Sequence, residues 1–366
     1  MLHAARLPLV LLAAAALLAG LHAGLQRVGW IEFSGELALW HGPLMATGFF
    51  ATLIGLERAV ALGERWLYAA PALSGASGVA SMVAPGHSFA ALLAVAGAAI
   101  LSVGAAVAFW RHRALFMATL ATGVFALFAA NLLWLVDGLS PSVALWWVGF
   151  LVLVIAGERL ELSRVLQHGP LIDSLFVVAA AMIVAGLVAL IYDEFGHALL
   201  GLGLLALTAW LCVFDVARRT RRGRGLTRYM AYALLAGYGW LGFAGALLLL
   251  ADPIGGFRYD AILHALFVGF AFSMVFAHAA VIFPAVIGIE MPYSRFFYLP
   301  LVLLHLSLAL RFAADALERP DERSLAGALN AAAILLFFLL LLGSAVAAHR
   351  RRRVKARRPL PEGLTS

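Results

Sequence analysis

Charge is what this chain has little of. Only 12% of its 366 residues are charged and 64% are hydrophobic, whereas soluble domains carry about 25% charged residues. That composition excludes an ordinary soluble fold and calls for a lipid environment. Cysteine is nearly absent: Cys212 stands alone, which excludes an internal disulfide and any cysteine-cluster metal site. Acidic residues are also few, 19 against 26 basic ones, for a formal net charge of +7. The basic excess lies in short loops and the C-terminal tail, where topology and lipid headgroups account for it without nucleic acid.

What is present is a series of long apolar runs. A helix needs about 20 predominantly apolar residues to cross a bilayer. Such runs fall at 7–28, 36–57, 66–84, 88–110, 114–136, 141–158, 171–191, 196–216, 229–251, 259–287, 296–317 and 325–348, predicting about twelve transmembrane helices. The first opens after Arg6 in the manner of a secretory signal, but without a convincing cleavage site it reads as a retained span. Arg6, Arg58, Arg65, Arg111, Arg113, Arg159, Arg164, the run from Arg218 to Arg228, Arg295 and the tail from Arg350 to Arg358 fall on one set of loops. Arg27, Arg258, Arg311, Arg319 and Arg323 fall on the other, the last three among acids. This asymmetry predicts cytoplasmic termini and, as the setting, a bacterial inner membrane.

The cytoplasmic loops alternate between mixed charge and nearly pure basic charge, so the repeating unit is four helices. The whole chain, 1–366, is then a single membrane domain. It is built of pseudo-repeats at about 1–113, 114–228 and 229–348, with a basic tail at 349–366 that contacts anionic lipid. Gly55-Leu56-Glu57-Arg58 in the first unit echoes Gly157-Glu158-Arg159 in the second. Plain anchoring of helix ends at the interface explains the same Glu-Arg pairs equally well.

Of eleven histidines, five lie within the apolar runs: His22, His41, His264, His278 and His305. Ionisable groups there are costly, about 2.5–3.5 kcal/mol for a charge at the helix centre, and call for a partner. At a rise of about 1.5 Å per residue, His41 and His264 lie at matching depths in helices of the same direction, with His22 near that depth. These form an outer candidate site. His278 and His305 share an inner-half depth, as a candidate second metal or haem site or as hydrogen-bonded residues contacting Ser273, Ser307 or Asn330. Two imidazoles on facing helices can grip one haem iron from opposite sides. Gly42, Gly48, Ala265 and Gly269 would leave room for the macrocycle, with Met45, Phe49, Phe267 and Phe270 as packing. Small residues equally mark ordinary helix packing, and spacing alone leaves haem ligation and structural hydrogen bonding balanced.

The pattern resembles the catalytic subunit of haem–copper oxidases: twelve spans as three four-helix units, with one histidine early in span 2 and another early in span 10. Trp40-His41-Gly42-Pro43-Leu44-Met45 is similar to that subunit's second-helix His-Gly-x-x-Met pattern. Within the group, His264-Ala265-Leu266-Phe267-Val268-Gly269 is similar to the late His-Ala-Leu-x-x-Gly helix of the NnrS family of haem-containing membrane proteins linked to nitric oxide stress. The resemblance implies an all-α, oxidase-like bundle in which His41 and His264 are the axial ligands of a haem b, with Met45, Gly48 and Gly269 against it. Two departures stand out. Spans 6 and 7 have no histidine and no His-x-His occurs in span 10, so the copper-binding residues of an oxidase are missing. The NnrS turn after span 10 is replaced by Phe283-Pro284-Ala285-Val286-Ile287-Gly288-Ile289-Glu290.

The sequence therefore predicts a haem b-binding membrane protein of electron-transfer or nitric-oxide-stress role, with lipid and a quinol or periplasmic electron donor as partners. No terminal oxidase activity is expected. Copper is a candidate that no ligand set supports, with His278, His305 and His22 as the remaining metal candidates. The competing expectation is a twelve-helix secondary transporter without haem, for which Asn131 and the Pro284 kink are the available marks.

Overall fold

The computed structural model describes residues 2–32, 36–192, 195–250 and 256–356, the side chains of 2–4 and 351–356 excepted. Among these residues there is no strand. Twelve principal helices follow one another: α1 (Leu2–Arg27), α2 (Glu36–Leu62), α3 (Ala69–Val83), α4 (Ser88–Arg111), α5 (Leu115–Asp137), α6 (Pro141–Leu166), α7 (Pro170–Ala189), α8 (Gly196–Phe214), α9 (Gly225–Leu250), α10 (Gly256–Ile287), α11 (Arg295–Ala316) and α12 (Pro320–Ala356). Eleven of them are long and apolar enough to cross a membrane. The protein is an all-helical, polytopic membrane protein. Most of the expected basic tail lies outside the described residues.

The helix that falls short is α3. Where the sequence suggests a span over 66–84, a short 3-10 turn (Arg65–Tyr68) leads into an α-helix of only 15 residues. That is about 22 Å of rise against a hydrocarbon core of about 30 Å. Its composition serves close approach instead. A Cβ placed on Gly78 would stand 3.0 Å from the Cα of Gly48, and one on Gly75 would meet Leu12 at 2.9 Å. Small residues let backbones touch where lipid offers no hydrophobic drive, so α3 is wedged against α1 and α2.

Sequential helices pack as neighbours, α3 on α4, α4 on α5, α5 on α6, α7 on α8, α8 on α9 and α11 on α12. Arg6 donates from Nη1 to the Val286 carbonyl at 2.9 Å, so the start of α1 and the end of α10 share one end of the bundle. That arginine caps carbonyls at a helix C-terminus, where no backbone N–H is left to serve them. Centrality is unequal. In α6, 94% of the apolar window is buried, against 67% in α10, 61% in α2 and 28% in α1 and α7. Helices α2, α6 and α10 are thus among the most enclosed, and they carry the residues described next.

Candidate functional site

Both outer histidines stand at the same kind of backbone irregularity. In α2, a 3-10 turn (Glu36–Trp40) gives way to α-helical His41–Pro43 and then to a π-helical stretch, Leu44–Ala51. In α10, α-helical Gly256–His264 is followed by a π-helical stretch, Ala265–Ala271. Such π turns are rare and cluster at functional sites. Pro43 contributes to the first, because it lacks the N–H that an α-turn would use; its own carbonyl accepts from Thr47 Oγ1 at 2.6 Å.

The two imidazoles meet. Their ring centroids lie 6.3 Å apart with planes 8° from parallel. His41 Nδ1 is 2.7 Å from the Gly20 carbonyl on α1, and His264 Nδ1 is 2.8 Å from the Asp260 carbonyl one turn earlier. A carbonyl only accepts, so in each neutral ring the proton sits on Nδ1 and the lone pair on Nε2. That is the tautomer a metal ligand requires, held by the outer-sphere bond that usually fixes it. Metal–imidazole bonds run about 2.0–2.1 Å and the centroid lies about 1.1 Å behind the nitrogen, so two rings sharing one metal in line have centroids about 6.2–6.4 Å apart. The observed spacing fits that arrangement.

A charged shell surrounds His264. The Asp260 carboxylate lies 3.3 Å from His264 Nδ1 and accepts from Arg311 at 2.7 and 3.2 Å. Arg323 stands 3.3 Å from Asp260 and 2.7 Å from Asp315. On the α2 side the support is steric. A Cβ on Gly24 would lie 2.9 Å from His41 Cε1, so glycine there leaves the ring its place against α1.

Around the pair lies space. A cavity of ≈ 640 Å³ reaches both rings from the end of the bundle where α1 ends and α2 begins, with Arg27, Tyr259, Arg311 and Arg323 in its wall. That volume is in the range of cofactor sites, roughly 300–1,000 Å³. A narrower cavity of ≈ 110 Å³ adjoins it deeper in, walled by Met45, Trp147, Phe267, Phe272 and Asn330. Trp147 is fixed by Asn131, which accepts its indole N–H at 2.9 Å and donates to the Ala94 carbonyl at 3.0 Å. Asn330 donates to the Ser307 hydroxyl, while its Oδ1 is buried without a partner.

Of the residues proposed from the sequence to pack a macrocycle, Met45, Gly42 and Phe267 line the deeper cavity. Other expectations need correcting. Gly48 does not face the cavity; its missing side chain admits Ala16, whose Cβ would be 2.8 Å from an added one. Gly269 is small because Trp240 packs on it, at 2.4 Å from an added Cβ. Phe49 stacks on Phe272 at 5.7 Å and Phe270 is buried, neither lining the cavity. His22 is on an exposed face of α1, outside the cavity. Asn131 serves as the brace of Trp147. Sequence reading missed Asp260, Arg311, Gly20 and Gly24. Asp260 had a signal: it lies one helical turn before His264, the spacing at which side chains meet.

The inner histidines are not brought together. His278 Nδ1 bonds the Met274 carbonyl at 2.9 Å, and its Nε2 lies 3.4 Å from Arg159 Nη1. His305 Nδ1 accepts from Trp240 Nε1 at 2.8 Å. That places the His305 proton on Nε2, the reverse of the outer tautomer. Ser273 and Ser307 bond backbone carbonyls and Asn330, not these rings. Around His278 lies a buried charge cluster: Arg159 pairs with Asp215 through two bonds of 2.9 Å, and Arg58 bridges Glu57 at 2.9 Å and Glu158 at 2.8 Å. The two copies of the Glu-Arg motif thus touch through Arg58. Among the described residues, no three His, Cys, Asp or Glu side chains gather as a metal-binding set.

Fold and site together define a class: a polytopic helical membrane protein with two imidazoles opposed across an internal cavity. The chain belongs to the family described as a domain of unknown function, DUF8744, whose family model matches residues 6–346. No curated protein and no solved structure matches it.

Proposed function

We propose that the protein is a haem b-binding integral membrane protein of the bacterial inner membrane, with His41 and His264 as axial ligands and an electron-transfer or nitric-oxide-stress role. The observation that carries this reading is the opposed, parallel ring pair at 6.3 Å with both Nδ1 atoms committed to carbonyls. Arg27, Arg311 and Arg323, at the cavity mouth, are positioned to balance the carboxylates of a porphyrin edge. Trp147, Phe267 and Met45 supply apolar walls that exclude water. A bound haem would be held by His41 and His264 and would supply a one-electron iron couple suited to electron transfer. The burial of α2, α6 and α10, each second in its unit, supports the reading of three four-helix pseudo-repeats of the haem–copper oxidase type. Cytoplasmic termini follow from the arginine asymmetry, and a quinol or periplasmic protein is the fitting electron donor.

The test is a reduced-minus-oxidised optical spectrum of detergent-purified protein beside His41→Ala and His264→Ala. A sharp low-spin b-type spectrum lost in either variant supports the reading. A folded wild type without haem after haem supplementation overturns it.

A further inference from the structure

A second cavity, of ≈ 620 Å³, opens at the end of the bundle where α1 begins and α10 ends, between the α6–α7 turn and the α8–α9 loop. Its rim holds Arg218, Arg219, Arg221 and Arg222, and its floor is apolar, with Ile172 and Phe214. The one carboxylate among its lining residues, Asp215, is already engaged by Arg159, so the rim arginines face no counter-charge there. His168 also lines the cavity, edge-on to Trp210 at 5.4 Å and to Phe214 at 6.2 Å. Its Nε2 is buried and has no hydrogen-bond partner. A buried polar atom without a partner is uncommon in a folded protein and calls for a missing one.

We propose that this cavity binds the phosphate headgroup of an anionic phospholipid, with the rim arginines around the phosphate and His168 Nε2–H donating to one of its oxygens. The floor decides between sources of phosphate. A soluble phosphate would use the rim alone, whereas a lipid also places its first methylenes on Phe214 and Ile172. Basic pockets between transmembrane helices on the cytoplasmic side are suited to such headgroups, and guanidinium–phosphate bonds are the strong, charge-assisted kind. This site is independent of the histidine pair and of any haem.

Delipidated protein would be exchanged with phosphatidylglycerol or phosphatidylcholine and read by native mass spectrometry. Four samples are needed: the wild type, the quadruple variant Arg218→Gln/Arg219→Gln/Arg221→Gln/Arg222→Gln, His168→Ala, and a control quadruple variant, Arg65→Gln/Arg113→Gln/Arg164→Gln/Arg295→Gln. The expected result is retention of phosphatidylglycerol over phosphatidylcholine by the wild type and the control. Retention falls at least tenfold in the rim variant and severalfold in His168→Ala, which keeps the rim charge and guards against a folding defect in the quadruple change. Equal retention by the rim variant, or equal loss in the control, overturns the proposal, the latter by showing that total charge is what matters. Protection of the wild type against thermal unfolding by inorganic phosphate at matched ionic strength, without lipid retention, would overturn the lipid assignment in favour of a soluble phosphate.

Discussion

On α10, two histidines fourteen residues apart have opposite surroundings. His264 lies parallel to a second imidazole, 6.3 Å from it ring to ring, beside a cavity, and its Nδ1 is tied to Asp260. His278 has the same kind of backbone bond on Nδ1, yet its Nε2 meets the guanidinium of Arg159. The difference lies in what the neighbouring helices bring. In the outer half, α2 delivers a matching ring; in the inner half, α6 delivers a positive charge. Backbone tautomer control is thus common to both sites, and a neighbouring parallel imidazole is particular to one. A histidine inside a membrane helix is a ligand candidate only once its Nε2 has been followed to its neighbour.

The sharpest way to break that comparison is to remove the rings one at a time. With His41 and His264 as the proposed haem ligands, His41→Ala and His264→Ala should abolish the b-type spectrum that reading expects, while His278→Ala and His305→Ala should leave its shape unchanged. Loss of the spectrum in His278→Ala would erase the distinction between halves. Next in size is Asp215→Asn. Arg159 is 3% exposed and Asp215 fully enclosed, and removing one partner from a buried pair typically costs about 3–5 kcal/mol. Unfolding titration should register that loss, with the spectrum of surviving folded protein unaltered. The opposite pattern, normal stability and a changed spectrum, would tie the inner cluster to the cofactor.

The sequence made the outer pair visible because imidazoles are rare in apolar runs and these two sit at matching depths. Depth is one-dimensional, however. It also paired His278 with His305, which face different neighbours, since rotation about the helix axis is set by packing. Glycines show the same limit. Gly48 and Gly269 looked suited to a macrocycle, but their open side admits Ala16 and Trp240, whereas Gly24 on α1, far from either histidine in sequence, gives His41 its place. Arg311 and Arg323 were legible as charges at a helix end, yet their shared carboxylate Asp260 required the tertiary contact. Among the described residues, α3 is the one principal helix short of the length and apolarity of a span, and it gains from backbone contact what it lacks in apolar length.

Asp260→Asn tests the shell around the outer ring. It weakens the orientation of His264 and leaves Arg311 without its anion. Outer-sphere partners of a metal-bound histidine typically account for about 10–100-fold in affinity, so haem titration of the apoprotein should show a loss of that order. Gly24→Ala probes the other ring by sterics alone, through the 2.9 Å approach to His41 Cε1. Overpacking of this kind costs about 1–3 kcal/mol, and the expected signature is a shifted or broadened low-spin band. An unperturbed band in Gly24→Ala would mean that α1 moves aside and that the Gly20 carbonyl is not what sets the His41 ring.

The smallest expected effect belongs to His305→Phe, and it sharpens the comparison from the inner side. His305 accepts one bond, from Trp240, and its Nε2 is buried without a partner. Phenylalanine keeps much of the ring while removing both the acceptor and the unsatisfied nitrogen. A typical hydrogen bond contributes about 0.5–1.5 kcal/mol net, partly offset by relief of the orphaned Nε2. Thermal unfolding should therefore move by little in either direction, with the haem spectrum intact. A large change in the spectrum would place His305 in the cofactor's environment. It would also mean that the Trp240 bond is exchanged for a metal bond in the loaded protein.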